Sequence, residues 1–370
     1  MKRIIALLLV VVMLVCCTAC GEKPAESTGE LQALLDARNV PALKTRTEML
    51  ELLQTNVYGK MPPKMEEQYF SVQENTIDNY CGGKAVNHDI AVRGVLNGQQ
   101  YGFKFRAAIP TTEGPHPFFI HIKFSNSSTD SQQPTEEIID NGFAVLSFDY
   151  EAVTTDDSDF TNGMAGLLYP EGVRENNDDP GKIAMWAWAA HRLLDYAEEN
   201  SDVFDMNKAV VCGHSRLGKT ALLAAATDER FTHVYSNNSG CSGAALSRGK
   251  EGETVDRVYK NNSFWFCKNY NQYRKNEEAL PLDQHYLLAC VAPRKVLVGS
   301  ASADKTADPI SEQLACLAAS PAFENGFDCD KVAEVGDKFF GGDIAYHLRE
   351  GKHAFTRQDW HRIIEFVNSK

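Results

Sequence analysis

No basic run stands out in this 370-residue chain, and its formal net charge is −13. That argues against a nucleic-acid binder, which needs a positive face for phosphates; the acidic balance is read as solubility. There is no internal repeat, which sets aside solenoids and propellers. Low complexity is confined to a polar stretch near the N-terminus. The one long apolar run, Ile4 to Val15, is too short to span a bilayer comfortably. Of the ten cysteines, Cys16, Cys17 and Cys20 lie at the N-terminus, and the other seven are scattered with no Cys-x-x-Cys spacing among them. Several, such as Cys212 and Cys290, sit inside apolar runs and read as buried thiols. A disulfide is permitted outside the cell, but the spacing does not demand one.

What is present begins with a leader. Lys2 and Arg3 precede the apolar core, and Thr18-Ala19-Cys20-Gly21 places small residues around a cysteine. This is the pattern of a lipoprotein-type signal peptide over residues 1–19, with Cys20 as the lipidated residue and the protein held extracytoplasmically at the cell membrane; plain secretion is the alternative. Cys17 is an unusual residue for its place in such a signal. Residues 20–45 read as a tether with a first helix, and residues 46–370 as one catalytic domain.

Along that domain, Leu50, Leu53 and Val57 have helical spacing, and alternation around Asn97-Gly98 predicts antiparallel strands over about 85–110. Buried strands at Phe118–Phe124, Phe143–Phe148, Ala209–Cys212, Thr232–Ser236, Val296–Ser300 and Ile344–Leu348 then alternate with helices. The helices run over Thr135–Asn141, Ile183–Asn200 and Asp359–Asn368. That rhythm predicts a mostly parallel sheet covered on both faces, a three-layer sandwich.

The most specific local feature is Gly213-His214-Ser215-Arg216-Leu217-Gly218-Lys219, between the apolar run ending at Cys212 and the helix-like run from Thr220. Strand, tight turn with a serine at its apex, then helix is the layout of a nucleophile elbow and points to the α/β-hydrolase fold. Leu217 occupies the usual second glycine's place, and Gly218 follows one residue later. A serine nucleophile needs a base and an orienting acid, which in this fold come in the chain order serine, acid, histidine. His353 lies between the last strand and the last helix, where the base belongs; His347 is inside that strand and His361 on the helix. The loop after Val296–Ser300 offers two acids. Asp304 is nearest the strand end, and Asp308, before Pro309, looks like a helix N-cap.

Together with the elbow, Ser236-Asn237-Asn238-Ser239-Gly240-Cys241, Leu282-Asp283-Gln284-His285, Ala292-Pro293-Arg294 and Gly351-Lys352-His353 resemble the glucuronoyl esterases, carbohydrate esterase family 15, and in particular the bacterial branch. Val57-Tyr58-Gly59-Lys60-Met61-Pro62 resembles that branch's N-terminal region, so the likeness runs from about Thr47 to the C-terminus. It implies a metal-free, cofactor-free serine esterase acting on esters of glucuronic acid, or its 4-O-methyl form, between xylan and lignin alcohols. By position, the resemblance implies Ser215 as nucleophile, His353 as base, Arg216 as oxyanion-stabilising, and Lys219 and Glu253 as sugar-binding. Lys219 lies one helical turn from Ser215, so both can face one cleft.

The chain departs from the family pattern in three places. Asn238 stands where some members carry the acid, which moves that role to Asp304, since a neutral amide cannot stabilise an imidazolium as a carboxylate does. Lys305-Thr306 stands where a tryptophan usually follows the acid. Phe124-Ser125-Asn126-Ser127 replaces a glycine-containing stretch, leaving the second oxyanion donor unplaced. Another carbohydrate esterase, such as an acetylxylan deacetylase, and a weakly catalytic glycan-binding surface lipoprotein are the alternatives. Trp186, Trp188 and His285 read as structural, Trp265 as core rather than sugar platform, and Asp156, Asp157 and Asp159 as a solvated acidic loop rather than a Ca²⁺ site.

Overall fold

The structure, a computed structural model, describes residues 29–369 apart from residues 76, 78 and 125–131. The leader and the lipidation site therefore lie outside the described residues. The chain opens with α1 (Glu30–Asp36) and α2 (Arg46–Leu53), then strands β1 (Glu66–Asn75), β2 (Ala85–Leu96), β3 (Gln99–Pro110) and β4 (His116–Lys123). Next come α3 (Thr135–Asp140), β5 (Ala144–Asp149), α4 (Gly163–Leu168), α5 (Lys182–Glu199), β6 (Phe204–His214), α6 (Arg216–Thr227) and β7 (His233–Asn237). The C-terminal part holds α7 (Val255–Asn262), α8 (His285–Ala289), β8 (Lys295–Ala301), α9 (Pro309–Ala319), β9 (Lys338–Phe339), β10 (Ile344–Arg349) and α10 (Arg357–Asn368).

The ten strands among the described residues form one sheet in the order β1-β2-β3-β5-β4-β6-β7-β8-β10-β9. From β5 to β10 the pairings are parallel, while β1, β2, β3 and β9 extend the two ends antiparallel. The predicted hairpin turns at Asn97 and Gly98, both with positive φ, as a tight two-residue connection requires.

Side chains alternate across the central strands, which explains the two covering layers. On β6, Val211 packs into the core shared with α5 and α6, whereas Val210 and Cys212 face the core shared with α3 and α10. Trp186 and Trp188 are buried on α5, and Trp360 on α10 anchors the opposite layer. This is the α/β-hydrolase three-layer arrangement expected from the sequence.

Two features differ from expectation. β1 was not anticipated: it is an edge strand rich in polar residues with Tyr69 and Val72 exposed, so it shows no clean alternation. The stretch read as a tether is, from residue 29 on, part of the domain. Leu31 and Leu35 of α1 are buried, Arg38 donates to the Arg248 carbonyl, and the carbonyls of Pro41 and Ala42 meet His285 and Tyr286. His285 thus holds the N-terminal segment to the domain, in keeping with its reading as structural. No helix among the described residues is long and apolar enough to cross a membrane, and the seven cysteines beyond Cys20 are free thiols.

Candidate active site

The elbow is set by steric exclusion. Ser215 sits between β6 and α6 at φ 58°, ψ −126°, a strained region for a residue with a side chain. Its N–H donates to the Asn237 carbonyl at 2.9 Å, and its own carbonyl accepts from Gly218 N–H at 2.9 Å. A Cβ on residue 213 would lie 2.3 Å from the Leu217 carbonyl oxygen. A Cβ on residue 218 would lie 3.0 Å from Ser239 Cβ and 3.1 Å from the Gly213 carbonyl. The close approach thus falls at 218, while Leu217 turns into the core with no exposed surface. That is the physical reason the second glycine is displaced by one residue.

Two strand ends bring the next pair together. His353, in the loop after β10, hydrogen-bonds through Nδ1 to Asp304 Oδ2 at 2.6 Å. Asp304, in the turn after β8, also accepts the Ala307 N–H at 3.1 Å and the Asn238 amide N–H at 3.0 Å. Burial alone would raise the Asp304 pKa. The His353 hydrogen bond and charge, with the two further donors, outweigh burial and hold the carboxyl below its ordinary range. Asp308 does something else. It caps α9, accepting from Ser311 N–H and Oγ, and ties down the Glu251 N–H. The loop expected to offer a second oxyanion donor falls on residues 125–131, outside the described residues.

Around this centre a cleft of about 350 Å³ is lined by Ser215, Arg216, Lys219, Glu253, Asp304 and His353, with Asn238, Asn262, Trp265 and Thr306. All six residues singled out in the sequence therefore meet in one place. Lys219 is buried and donates to the Ser239 carbonyl. Burial lowers its pKa, with the Glu253 carboxylate acting the other way. Of Lys305-Thr306, the pair standing where the resemblance implies a tryptophan, Thr306 lines the cleft.

The acidic loop requires a correction. Asp157 pairs with Lys182 and Asp159 closes its own turn, but Asp156 is not solvated: its side chain is only 7% exposed. It forms an ion pair with the Arg216 guanidinium and accepts from Trp265 Nε1 at 2.6 Å and Tyr150 OH at 2.8 Å. The guanidinium lies 4.7 Å from the Trp265 ring centroid and 5.5 Å from that of Phe124. Trp265 is therefore both packed and part of the cleft wall. Its fixed position depends on Asp156, about a hundred residues away, so no local pattern announces it. Among the described residues no cluster of three or more His, Cys, Asp or Glu side chains is arranged to hold a metal.

A serine at a strand–helix elbow, followed in chain order by an acid and a histidine at strand ends of a mostly parallel sheet covered on both faces, is the α/β-hydrolase arrangement. Residues 92–325 match the sequence model of a family described as "Glucuronyl esterase, fungi", and the chain belongs to that family. A carbohydrate esterase of an unknown prokaryotic organism is 41% identical over 238 residues, covering 63% of this chain and 55% of that protein. The chain spans about half the length of the curated relatives it matches. Among solved structures, a promiscuous family 15 carbohydrate esterase from a marine bacterial metagenome is 31% identical with a TM-score of 0.77, covering 88% of this chain and 91% of that one. A glucuronoyl esterase from Solibacter usitatus is 29% identical with a TM-score of 0.78 over the same shares.

Proposed function

We propose that this protein is a serine carboxylic-ester hydrolase that cleaves esters of glucuronic acid, or its 4-O-methyl form, as in the linkages between xylan and lignin. The observation that carries this reading is the convergence of Ser215, the Asp304–His353 pair, Arg216, Lys219 and Glu253 on one cleft. Ser215 Oγ attacks the ester carbonyl while His353 Nε2 takes its proton, and Asp304 holds the imidazolium that forms. The oxyanion develops beside the Arg216 N–H at the start of α6. His353 returns the proton to the leaving alcohol, and water releases the uronic acid by the same route. Lys219 and Glu253 contact the sugar hydroxyls. The cleft is at the small end of ligand sites, about 300–1,000 Å³, which suits one uronate residue with the rest of the polymer outside.

The test compares hydrolysis of methyl or benzyl glucuronate with deacetylation of xylan, with Ser215→Ala beside the wild type. Ser215-dependent release of the alcohol from the glucuronate ester is expected. Activity on acetate alone would replace this reading with an acetylxylan esterase. Equal background rates for both proteins, with xylan fragments still bound, would make it a glycan-binding protein. The leader pattern supports a further proposal, attachment to the membrane through lipid on Cys20. Cys20→Ser should then move the protein from the membrane to the soluble fraction, and unchanged fractionation would refute it.

A further inference from the structure

We propose that His214, the residue before the nucleophile, is a positioning residue for His353, and that a buried hydrogen-bond relay beginning at Asp359 fixes which of its ring nitrogens carries the proton. The proposal rests on the reading of Ser215 and His353 as nucleophile and base.

The relay starts in the layer under α10. Asp359 is fully buried and paired with Arg349 through Nε at 2.9 Å. A carboxylate so paired only accepts, and the single Tyr235 hydroxyl proton goes to Asp359 Oδ1 at 3.2 Å or to His347 Nε2 at 2.9 Å, in either case away from Asn237. The Tyr235 oxygen then accepts from Asn237 Nδ2 at 3.0 Å. That turns Asn237 Oδ1 toward His214, whose Nδ1 lies 2.7 Å from it and must donate. Whichever of those two takes the Tyr235 proton, Asn237 keeps the same orientation. His214 is left with its proton on Nδ1 and a bare Nε2.

The far end of the relay meets the base. The His214 and His353 rings lie 4.4 Å apart, centroid to centroid, and His214 also packs on Phe355. Burial, with His353 beside it, presses the His214 pKa down to about 3, while Asn237 and Asp304 pull the other way and Arg349 adds to the lowering. The ring that His353 packs against is therefore neutral, and does not oppose the imidazolium that forms during turnover. Arg349 frames the same loop from behind, donating to the carbonyls of Lys352 and Ala354 on either side of His353. The relay and the frame share Asp359, so one buried carboxylate orients both contacts of the base loop.

The test combines kinetics on methyl glucuronate with nitrogen-15 NMR of histidine-labelled protein, using His214→Phe, Tyr235→Phe and the double variant. Rates are counted per active site titrated with a serine-reactive phosphonate, so that misfolded protein does not enter. His214→Phe keeps an aromatic wall but has no Nδ1; it is expected to lower kcat about tenfold with KM changed less than about twofold, as misplacement of a base does. Tyr235→Phe should lower kcat in the His214 background and cost nothing further in His214→Phe, the signature of two residues acting through one contact. In the wild type, the spectrum should show the His214 proton on Nδ1 and no titration of that ring between pH 5 and 8. A proton on Nε2, a titrating His214, or equal losses from Tyr235→Phe in both backgrounds would overturn the proposal. Ser215-dependent turnover with His214→Phe indistinguishable from wild type would overturn the positioning role alone. A wild type no faster than Ser215→Ala would overturn the esterase reading and this role with it. Should His214→Phe fail to fold, Tyr235→Phe and the wild-type spectrum still decide the matter.

Discussion

Replacing Asp304 by asparagine is the sharpest perturbation of this site, because the structure shows what an amide would face. Three donors converge on the carboxylate: His353 and Asn238 at Oδ2, and Ala307 N–H at Oδ1. An amide has one oxygen. If that oxygen stays with Ala307, its NH₂ group confronts His353 Nδ1, which then becomes the acceptor, and the imidazole proton moves to Nε2. The nitrogen that should take the Ser215 proton is then occupied. If the amide flips, its NH₂ confronts the Ala307 N–H instead, leaving two buried donors face to face. Either way the imidazolium loses its counter-charge. In another serine hydrolase the equivalent change lowers kcat about 10⁴-fold, or roughly 5 kcal/mol of transition-state stabilisation, and a loss of that order is expected here. Asp308→Asn provides the contrast. It keeps a helix-capping oxygen for Ser311 N–H but takes the acceptor from Glu251 N–H, and should cost about 1 kcal/mol of stability while leaving kcat within about threefold of wild type. Initial rates on methyl glucuronate, counted per titrated active site, together with thermal melts of both variants, decide the matter. A larger kcat loss for Asp308→Asn, or no loss beyond about tenfold for Asp304→Asn, would refute the reasoning.

Four further outcomes follow from the same geometry. Gly213→Ala drives a Cβ to 2.3 Å from the Leu217 carbonyl; it should lower the melting midpoint far more than Gly218→Ala, whose nearest neighbour is a side-chain atom at 3.0 Å. Asp156→Ala releases Arg216 and the Trp265 N–H together, and should both lower the melting midpoint and slow hydrolysis, with Asp156→Asn intermediate in each. Lys219→Met keeps the buried stem but removes the ammonium, so KM for a glucuronate ester should rise about tenfold with a smaller change in kcat; an unchanged KM would exclude a sugar contact. Glu312, fully buried between Gly240 N–H and Ser300 Oγ, has its carboxyl raised by burial to about 7. Between the ordinary carboxyl pKa and that value the unfolded chain has released the proton and the folded chain keeps it. Stability relative to Glu312→Gln should therefore fall as pH rises from about 4.5 to about 7, by up to about 3 kcal/mol; urea melts across that range would show no trend if the carboxyl titrates normally.

The parts of the fold legible in the sequence were those carried by local pattern. Buried parallel strands read as continuous apolar runs, and the elbow betrays itself because a strand, a serine and a helix are adjacent in the chain. His353 and Asp304 were legible by topology, since the fold assigns them to known strand ends. Edge strand β1 was not, because its sequence Glu66–Asn75 is mostly polar and does not alternate. Asp156, Trp265 and His214 were opaque for a different reason. Asp156 lies in a polar loop of ordinary composition, and only the return of Arg216 and Trp265 from distant parts of the chain gives it work. Trp265 stands between Phe264 and Phe266 and reads as core, nothing local sets His214 apart within the elbow, and their orientation toward the cleft and toward His353 is a tertiary fact.

The hydrogen bond between the Asn238 amide and Asp304 also ties the ends of two strands together. Residue 238 follows β7 and residue 304 follows β8, neighbouring parallel strands whose ends are joined by this bond. The side chain at 238 therefore bears on the imidazole by way of the acid, as a donor that steadies the carboxylate to which His353 is bonded.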